Sequence, residues 1–216
     1  DEDKLPDEFK TNEGIIENYQ IRIAVPRLKP KSSYYLYSFF STNIVLQFPY
    51  IIHATFDLDQ NRKQLEYSKK NKIVIEKLTQ LMCKMALHKT EDKVDWSAYL
   101  LLQYNSENEN LQELNFYEKL NIILKNEKII PCVSDEYYSL EDTVYIDNEF
   151  SSLLALGDGG SIFKKHIQPM NSLVKFEKIS PKYGGYQHFV DLIEKWSLII
   201  TDTKFRARLI KYLINR

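Results

Sequence analysis

Phe48-Pro49-Tyr50-Ile51-Ile52-His53-Ala54-Thr55-Phe56-Asp57-Leu58-Asp59-Gln60-Asn61-Arg62-Lys63-Gln64-Leu65 is the stretch on which the reading of this chain turns. Tyr50 to Leu58 is a nearly continuous apolar run, as expected of a strand covered on both faces. Asp59 to Arg62 then offers acidic and amide groups suited to starting a helix, with an arginine at the corner. Unpaired backbone N–H groups and the helix dipole favour negative charge at such a corner. A guanidinium there adds a forked, permanently charged donor that matches phosphate. Two readings of Arg62 stay open on spacing alone: an anion-binding group, or an ordinary solvated residue at a helix start.

Upstream, Gln20, Arg22 and Ala24 alternate with Ile21, Ile23 and Val25 until Pro26, which is strand periodicity. Arg27 to Ser33 reads as a loop. Tyr34 to Phe40 is β-rich and aromatic, Ser41-Thr42-Asn43 supplies a turn, and Ile44 to Gln47 is a short apolar piece. Three strands in so short a span predict one sheet. Downstream, Val74, Leu78, Leu81, Met82 and Met85 have helical spacing and predict a helix lying across that sheet, its methionines serving as core filler. Thr90 to Lys93 is polar and charged and marks a boundary.

The second half reads as more helical. Leu111, Leu114, Tyr117, Leu120 and Leu124 form another stripe; Lys128 to Val133 and Thr143 to Ile146 read as short strands. Ser139-x-x-Asp142 is a capping box too brief to launch a long helix, and Asp147 or Asn148 is placed to cap Glu149 to Leu156. Helices are also predicted over Tyr186 to Ile200 and Thr203 to Ile214.

The run Phe-Pro-x-Ile-Ile-His-Ala-x-Phe-Asp-Leu-x-x-Asn-Arg, followed by Asn71 and an amphipathic helix, resembles the segment just after the ATP-binding domain in sacsin-type proteins. Those proteins carry an ATPase domain of the heat-shock-chaperone (GHKL) superfamily. More distantly, Leu58 to Leu65 is similar to the catalytic loop in the middle domain of the ninety-kilodalton heat-shock chaperone. The Ile-Ile-Pro and Tyr-Tyr-Ser-Leu-Glu-Asp-x-Val-Tyr-Ile-Asp runs, within Ile129 to Asp147, also resemble the sacsin-type pattern.

The resemblance implies an α+β fold: a small mixed β-sheet packed on helices, in the β-α-β arrangement of a ribosomal small-subunit protein, followed by a helix-rich α/β extension. It implies a middle or transducer domain over 19–93 and the extension over 94–216, after the stretch 1–18 that composition reads as an acidic linker or terminus. It also implies that Arg62 reaches the γ-phosphate of ATP held by an upstream domain of the same protein, with Asn61 and Gln64 beside it on the nucleotide side. The chaperone's glutamine has no counterpart at its own spacing, where Glu66 stands. ATP and magnesium belong on this reading to the parent protein, with none expected on this chain alone. The further partners implied are protein clients or effector domains, in a bacterial cytoplasm. A competing reading is a non-catalytic protein-interaction platform with no nucleotide linkage.

Composition narrows the alternatives. With 29 basic and 30 acidic residues among 216, the net charge of −1 argues against a dedicated nucleic-acid binder. There is no run of about 18 or more apolar residues to span a membrane. Seven of the first eighteen residues are acidic and two are basic, expected either of a linker leaving a preceding domain or of a processed terminus. Cys83 and Cys132 lie far apart without a partner motif; Cys83, inside an apolar helical stripe, reads as a buried thiol, and a reducing cytoplasm fits both better than a disulfide does.

Several motifs read as structural. Gly157-Asp158-Gly159-Gly160 lacks the glutamate and asparagine helix that an ATP pocket of this superfamily needs, and reads as a helix-terminating loop. His53, His88, His166 and His188 share no metal-ligand spacing, so no zinc site is assigned from sequence. His53 reads as a hydrogen-bonded core histidine. Asp57 and Asp59 are candidates to anchor Arg62, to coordinate magnesium or to cap the helix. Tyr34, Tyr35, Tyr37, Phe39 and Phe40 are read as sheet core with hydroxyls at the rim rather than as base-stacking groups, because no arginine or lysine interleaves them.

Overall fold

The alternation before Pro26 forms the strand it predicts, and the apolar run after Pro49 pairs with it. A computed structural model describes residues 2–4, 6, 9, 18–26, 33–155, 163–176, 178–184, 188, 190–191, 194 and 203–214. The fold is mixed α+β, with a small mixed sheet and several helices. It divides into two compact units, Asp1–Ala86 with Leu101–Ile123, and Leu87–Leu100 with Leu124–Arg216. The expected glycine loop at 157–160, the loop at 27–32 and most of the expected helix over 186–200 lie outside the described residues.

The first unit holds a five-stranded sheet. Its strands are β1 (Glu2–Lys4), β2 (Asn18–Ala24), β3 (Tyr34–Ser38), β4 (Phe40–Leu46) and β5 (Ile51–Ala54), in spatial order β1-β2-β5-β3-β4. Only β3 and β5 run parallel, with Leu36 opposite Ile52 and Tyr37 opposite His53. Tyr19, Ile21, Leu36, Ile44, Leu46, Ile52 and Ala54 fill one buried face. The other face is open in part: Arg22 is exposed, Ile51 and His53 are half-buried, and Tyr35 keeps 50% of its surface. β5 is therefore not covered on both sides, and Tyr35, Phe39 and Phe40 are not core. The same alternation that buries Leu36 and Ser38 turns Tyr35 outward.

The turn expected at Ser41-Thr42-Asn43 lies instead at Phe39, with Ser38 opposite Phe40. Thr42 is inside β4. Its hydroxyl donates to the Leu36 carbonyl (2.8 Å) and accepts from the Ile44 N–H (3.1 Å), filling the gap left where the register shifts between Tyr35 and Tyr37. A short polar side chain that satisfies backbone groups inside a bulged ladder reads, in sequence, like one that makes a turn.

Helix α1 (Lys69–Lys89) buries Val74, Ile75, Leu78, Met82 and Ala86, with Leu78 at 1% exposure. Helices α2 (Ser97–Leu102), α3 (Glu109–Glu113) and α4 (Phe116–Asn126) follow. The stripe read as one helix is two, α3 and α4, separated at Asn115, whose φ of 61° no α-helix accommodates. In the first unit Phe48 stacks on Tyr50 (5.4 Å) and meets the edge of Phe116, and the Tyr50 hydroxyl donates to the Leu101 carbonyl at 2.7 Å.

The second unit holds two short pairs: β6 (Ile130–Pro131) with β7 (Tyr137–Tyr138), and β8 (Val144–Tyr145) with β9 (Lys182–Tyr183). Ser139 caps only a 3-10 turn, Leu140–Asp142. Helix α5 (Asn148–Ala155) is capped by Asp147, whose carboxylate accepts the Phe150 N–H at 2.8 Å. Helix α6 (Thr203–Ile214) supplies Phe205, Leu209 and Tyr212 to a core shared with Val133, Phe150, Leu153 and Phe163. Elsewhere in the unit Trp96, Tyr99 and Phe176 pack ring on ring. No helix among the described residues is long and apolar enough to cross a membrane.

Candidate functional site

The loop between β5 and α1 is built by hydrogen bonds that its own sequence supplies. Leu58 bridges Leu65, the Asp59 N–H donates to the Gln64 carbonyl (2.9 Å), and the Arg62 N–H donates back to the Asp59 carbonyl (2.8 Å). One oxygen of the Asp59 carboxylate accepts the N–H groups of Lys63 (2.7 Å) and Gln64 (3.1 Å). An aspartate closing a turn on its own downstream amides is ordinary turn chemistry. The expected helix start at Asp59–Arg62 is thus a tight loop. α1 begins at Lys69, where the Ser68 hydroxyl accepts the Asn71 N–H at 3.1 Å. Arg62 lies seven residues before the helix, so its position owes nothing to the helix dipole.

Asn71 locks the loop to the strand exit. It is 0% exposed; its Oδ1 accepts the Asp57 N–H (2.8 Å), while its Nδ2 donates to the carbonyls of Asp57 (2.8 Å) and Glu66 (2.7 Å). The Asp57 carboxylate pairs with Lys70 at 2.9 Å and accepts the Ser68 hydroxyl at 3.2 Å. It brings negative charge to a helix start whose first turn holds no acid of its own. Of the roles open to the two aspartates, Asp57 holds Lys70 and Asp59 caps the loop. Neither carboxylate pairs with the Arg62 guanidinium among the described residues, and no group of three metal-ligating side chains occurs among them.

Arg62 itself is exposed, and among the described residues its guanidinium makes no hydrogen bond or ion pair. Its φ is 55°, a left-handed conformation that costs a non-glycine residue about 1–2 kcal/mol. Arg62 lines a cavity of about 800 Å³ together with Ser38, Phe39, Phe40, Asp57, Glu66 and neighbouring loop residues. Asn61 and Gln64 are exposed on the same loop but do not line it.

The opposite wall is the β3–β4 tip, which sequence reasoning did not assign to the site. Phe39 and Phe40 keep 73% and 65% of their surface exposed, and Phe39 has a φ of 60°. The Phe39 N–H donates to His53 Nε2 at 3.2 Å, and the Phe39 ring meets the His53 ring edge-on. His53 is therefore hydrogen-bonded, as read, through one nitrogen, but it is half-buried rather than a core histidine. A neutral ring accepting at Nε2 carries its proton on Nδ1, which is buried without a partner among the described residues. Ser38 joins the two walls: its hydroxyl donates to the Phe56 carbonyl and accepts the Phe56 N–H. The signal that marks this wall in sequence is the pair Phe39-Phe40 abutting a polar stretch, which reads equally as strand interior.

No protein-family model, no curated protein and no solved structure matches the chain.

Proposed function

We propose that this chain is the transducer portion of a sacsin-like, heat-shock-chaperone-type ATP-binding protein, with 19–93 adopting the ribosomal-type β-α-β middle-domain fold. In this reading Arg62 completes a phosphate site that an upstream ATP-binding domain builds around ATP and magnesium. The observation that supports it is Arg62: exposed, its guanidinium without a partner among the described residues, and held in a backbone conformation that a glycine would adopt without strain. As charge develops on the transferring phosphoryl group, a preorganised guanidinium stabilises it without having to leave a carboxylate first. Asn61 and Gln64 flank it on the loop, and closing or opening of that contact couples nucleotide state to domain movement.

The chain alone should not bind MgATP well, because Asp57, Asp59 and Glu66 share the cavity with one arginine. Calorimetric titration of the chain with MgATP is expected to show no micromolar site; such a site would place the nucleotide here rather than upstream. In the protein carrying the ATP-binding domain, Arg62→Ala should lower turnover about 10²- to 10³-fold with nucleotide affinity nearly unchanged. Arg62→Lys should rescue poorly, because an ammonium lacks the fork. Unchanged turnover favours the second reading, a protein-interaction platform, which the exposed Phe39, Phe40 and Val45 support.

A further inference from the structure

His166 and His188 lie 22 residues apart, a spacing that matches no metal motif, yet the fold of the second unit brings their Nε2 atoms to 3.4 Å. β8 makes the meeting: Val144 bridges His166 on one side and pairs with Lys182 of β9 on the other. Gly184, directly after β9, donates its N–H to the Tyr145 carbonyl at 2.9 Å. A Cβ at Gly184 would stand 2.8 Å from His188 Cδ2, so the absence of a side chain there lets the His188 ring lie against the backbone.

The chemistry of the pair is directional. His166 Nδ1 is 3.0 Å from the Phe163 carbonyl, which only accepts, so Nδ1 carries a proton and a neutral ring presents the Nε2 lone pair to His188. The two rings are 20° from coplanar with centroids 5.6 Å apart, so their nitrogen corners meet rather than their faces. At 3.4 Å an N–H···N bond between the two rings is long and therefore weak, so it holds the pair less firmly than a shared metal would. Two imidazole nitrogens on one tetrahedral zinc, each at about 2.0–2.1 Å, are about 3.3–3.4 Å apart. A metal-binding imidazole whose other nitrogen donates to a backbone carbonyl is the arrangement that fixes its tautomer for ligation.

We propose that His166 and His188 form a binding site for a late divalent transition metal such as Zn²⁺, bridging the two neighbours of β8. Among the described residues no third histidine, cysteine, aspartate or glutamate joins them, so the ligands these residues supply are the two imidazoles. Borderline-soft N-ligand preference selects zinc, copper or nickel over magnesium or calcium.

The test is titration of the intact chain with Zn²⁺ against a chromophoric chelator, with the thermal unfolding midpoint measured in parallel. One equivalent should bind and raise the midpoint, as any ligand selective for the native state does. His188→Ala and His166→Gln should each lose the binding and the shift. Gly184→Ala, which keeps both ligands but displaces the His188 ring, should weaken binding about 10-fold or more. His166 is buried, so if His166→Gln fails to fold, His188→Ala and Gly184→Ala decide the matter. Zinc binding that survives His188→Ala would place the metal elsewhere, for example at the exposed His88–Glu91 pair, and would overturn the proposal. The absence of saturable binding would overturn it equally.

Discussion

A left-handed backbone suits glycine, then asparagine and aspartate, and of the non-glycine residues described here in that conformation Asn115 and Asp135 fit the preference. Phe39 and Arg62 do not, and both line one cavity. Strained positions persist where the surrounding structure over-determines them, and here the Arg62 N–H bond to Asp59 and the Phe39 N–H bond to His53 do so. Arg62→Gly should therefore stabilise the fold by about 0.5–1 kcal/mol, the relief of strain outweighing the extra freedom of the unfolded chain. Arg62→Ala keeps the strained φ and should leave stability nearly unchanged. Urea unfolding of the two variants measures the difference; Arg62→Gly less stable than wild type would mean that the arginine side chain itself supports the loop. The sequence contains an arginine at this corner but not its handedness, which depends on how Asp59 closes the turn.

At the scale of the element, the loop depends on α1 through one amide. Asn71→Ala removes three hydrogen bonds and takes from the part-buried Asp57 N–H the acceptor it has in the fold, while the Glu66 carbonyl keeps the Ser68 N–H; the loss should cost about 2–4 kcal/mol. Hydrogen exchange should show the amides of residues 57–66 losing protection first; uniform loss across the sheet would make Asn71 a general core residue rather than a latch. Much at this scale was legible. The alternation in β2 and the stripe Val74, Leu78, Met82 each specify a face, because burial repeats with the period of the element. The start of α1 was less so: Asp59 and Ser68 both have capping chemistry, and the choice between them came from Leu58 pairing with Leu65, a contact no local rule contains. Thr42 misled for the same reason, its hydroxyl serving a bulge rather than a turn.

Across the whole molecule, the first unit carries the open cavity and the second the histidine pair, so the two proposals stand on separate cores. The first core has a pH signature. Burial pushes the Tyr117 hydroxyl up to about 12 and raises that of Tyr50 well above its ordinary value. Between pH 10 and 12 the unfolded chain releases those protons while the folded chain keeps them, so stability is full below about 10 and falls as pH rises. Thermal midpoints should decline through that window, and Tyr117→Phe should flatten the decline; an unaltered slope would mean that other groups drive it.

The central claim is that Arg62 acts on a phosphoryl group held by another domain, and Arg62→Gly tests it most directly because loss of folding is not expected to mask the result. The measurement is steady-state ATP turnover at saturating nucleotide, in the protein that carries the ATP-binding domain. Turnover lower by about 10²-fold or more, with nucleotide affinity retained and the fold at least as stable, is the expected result. Turnover equal to that of the wild type would contradict the claim and leave Arg62 a solvated loop residue.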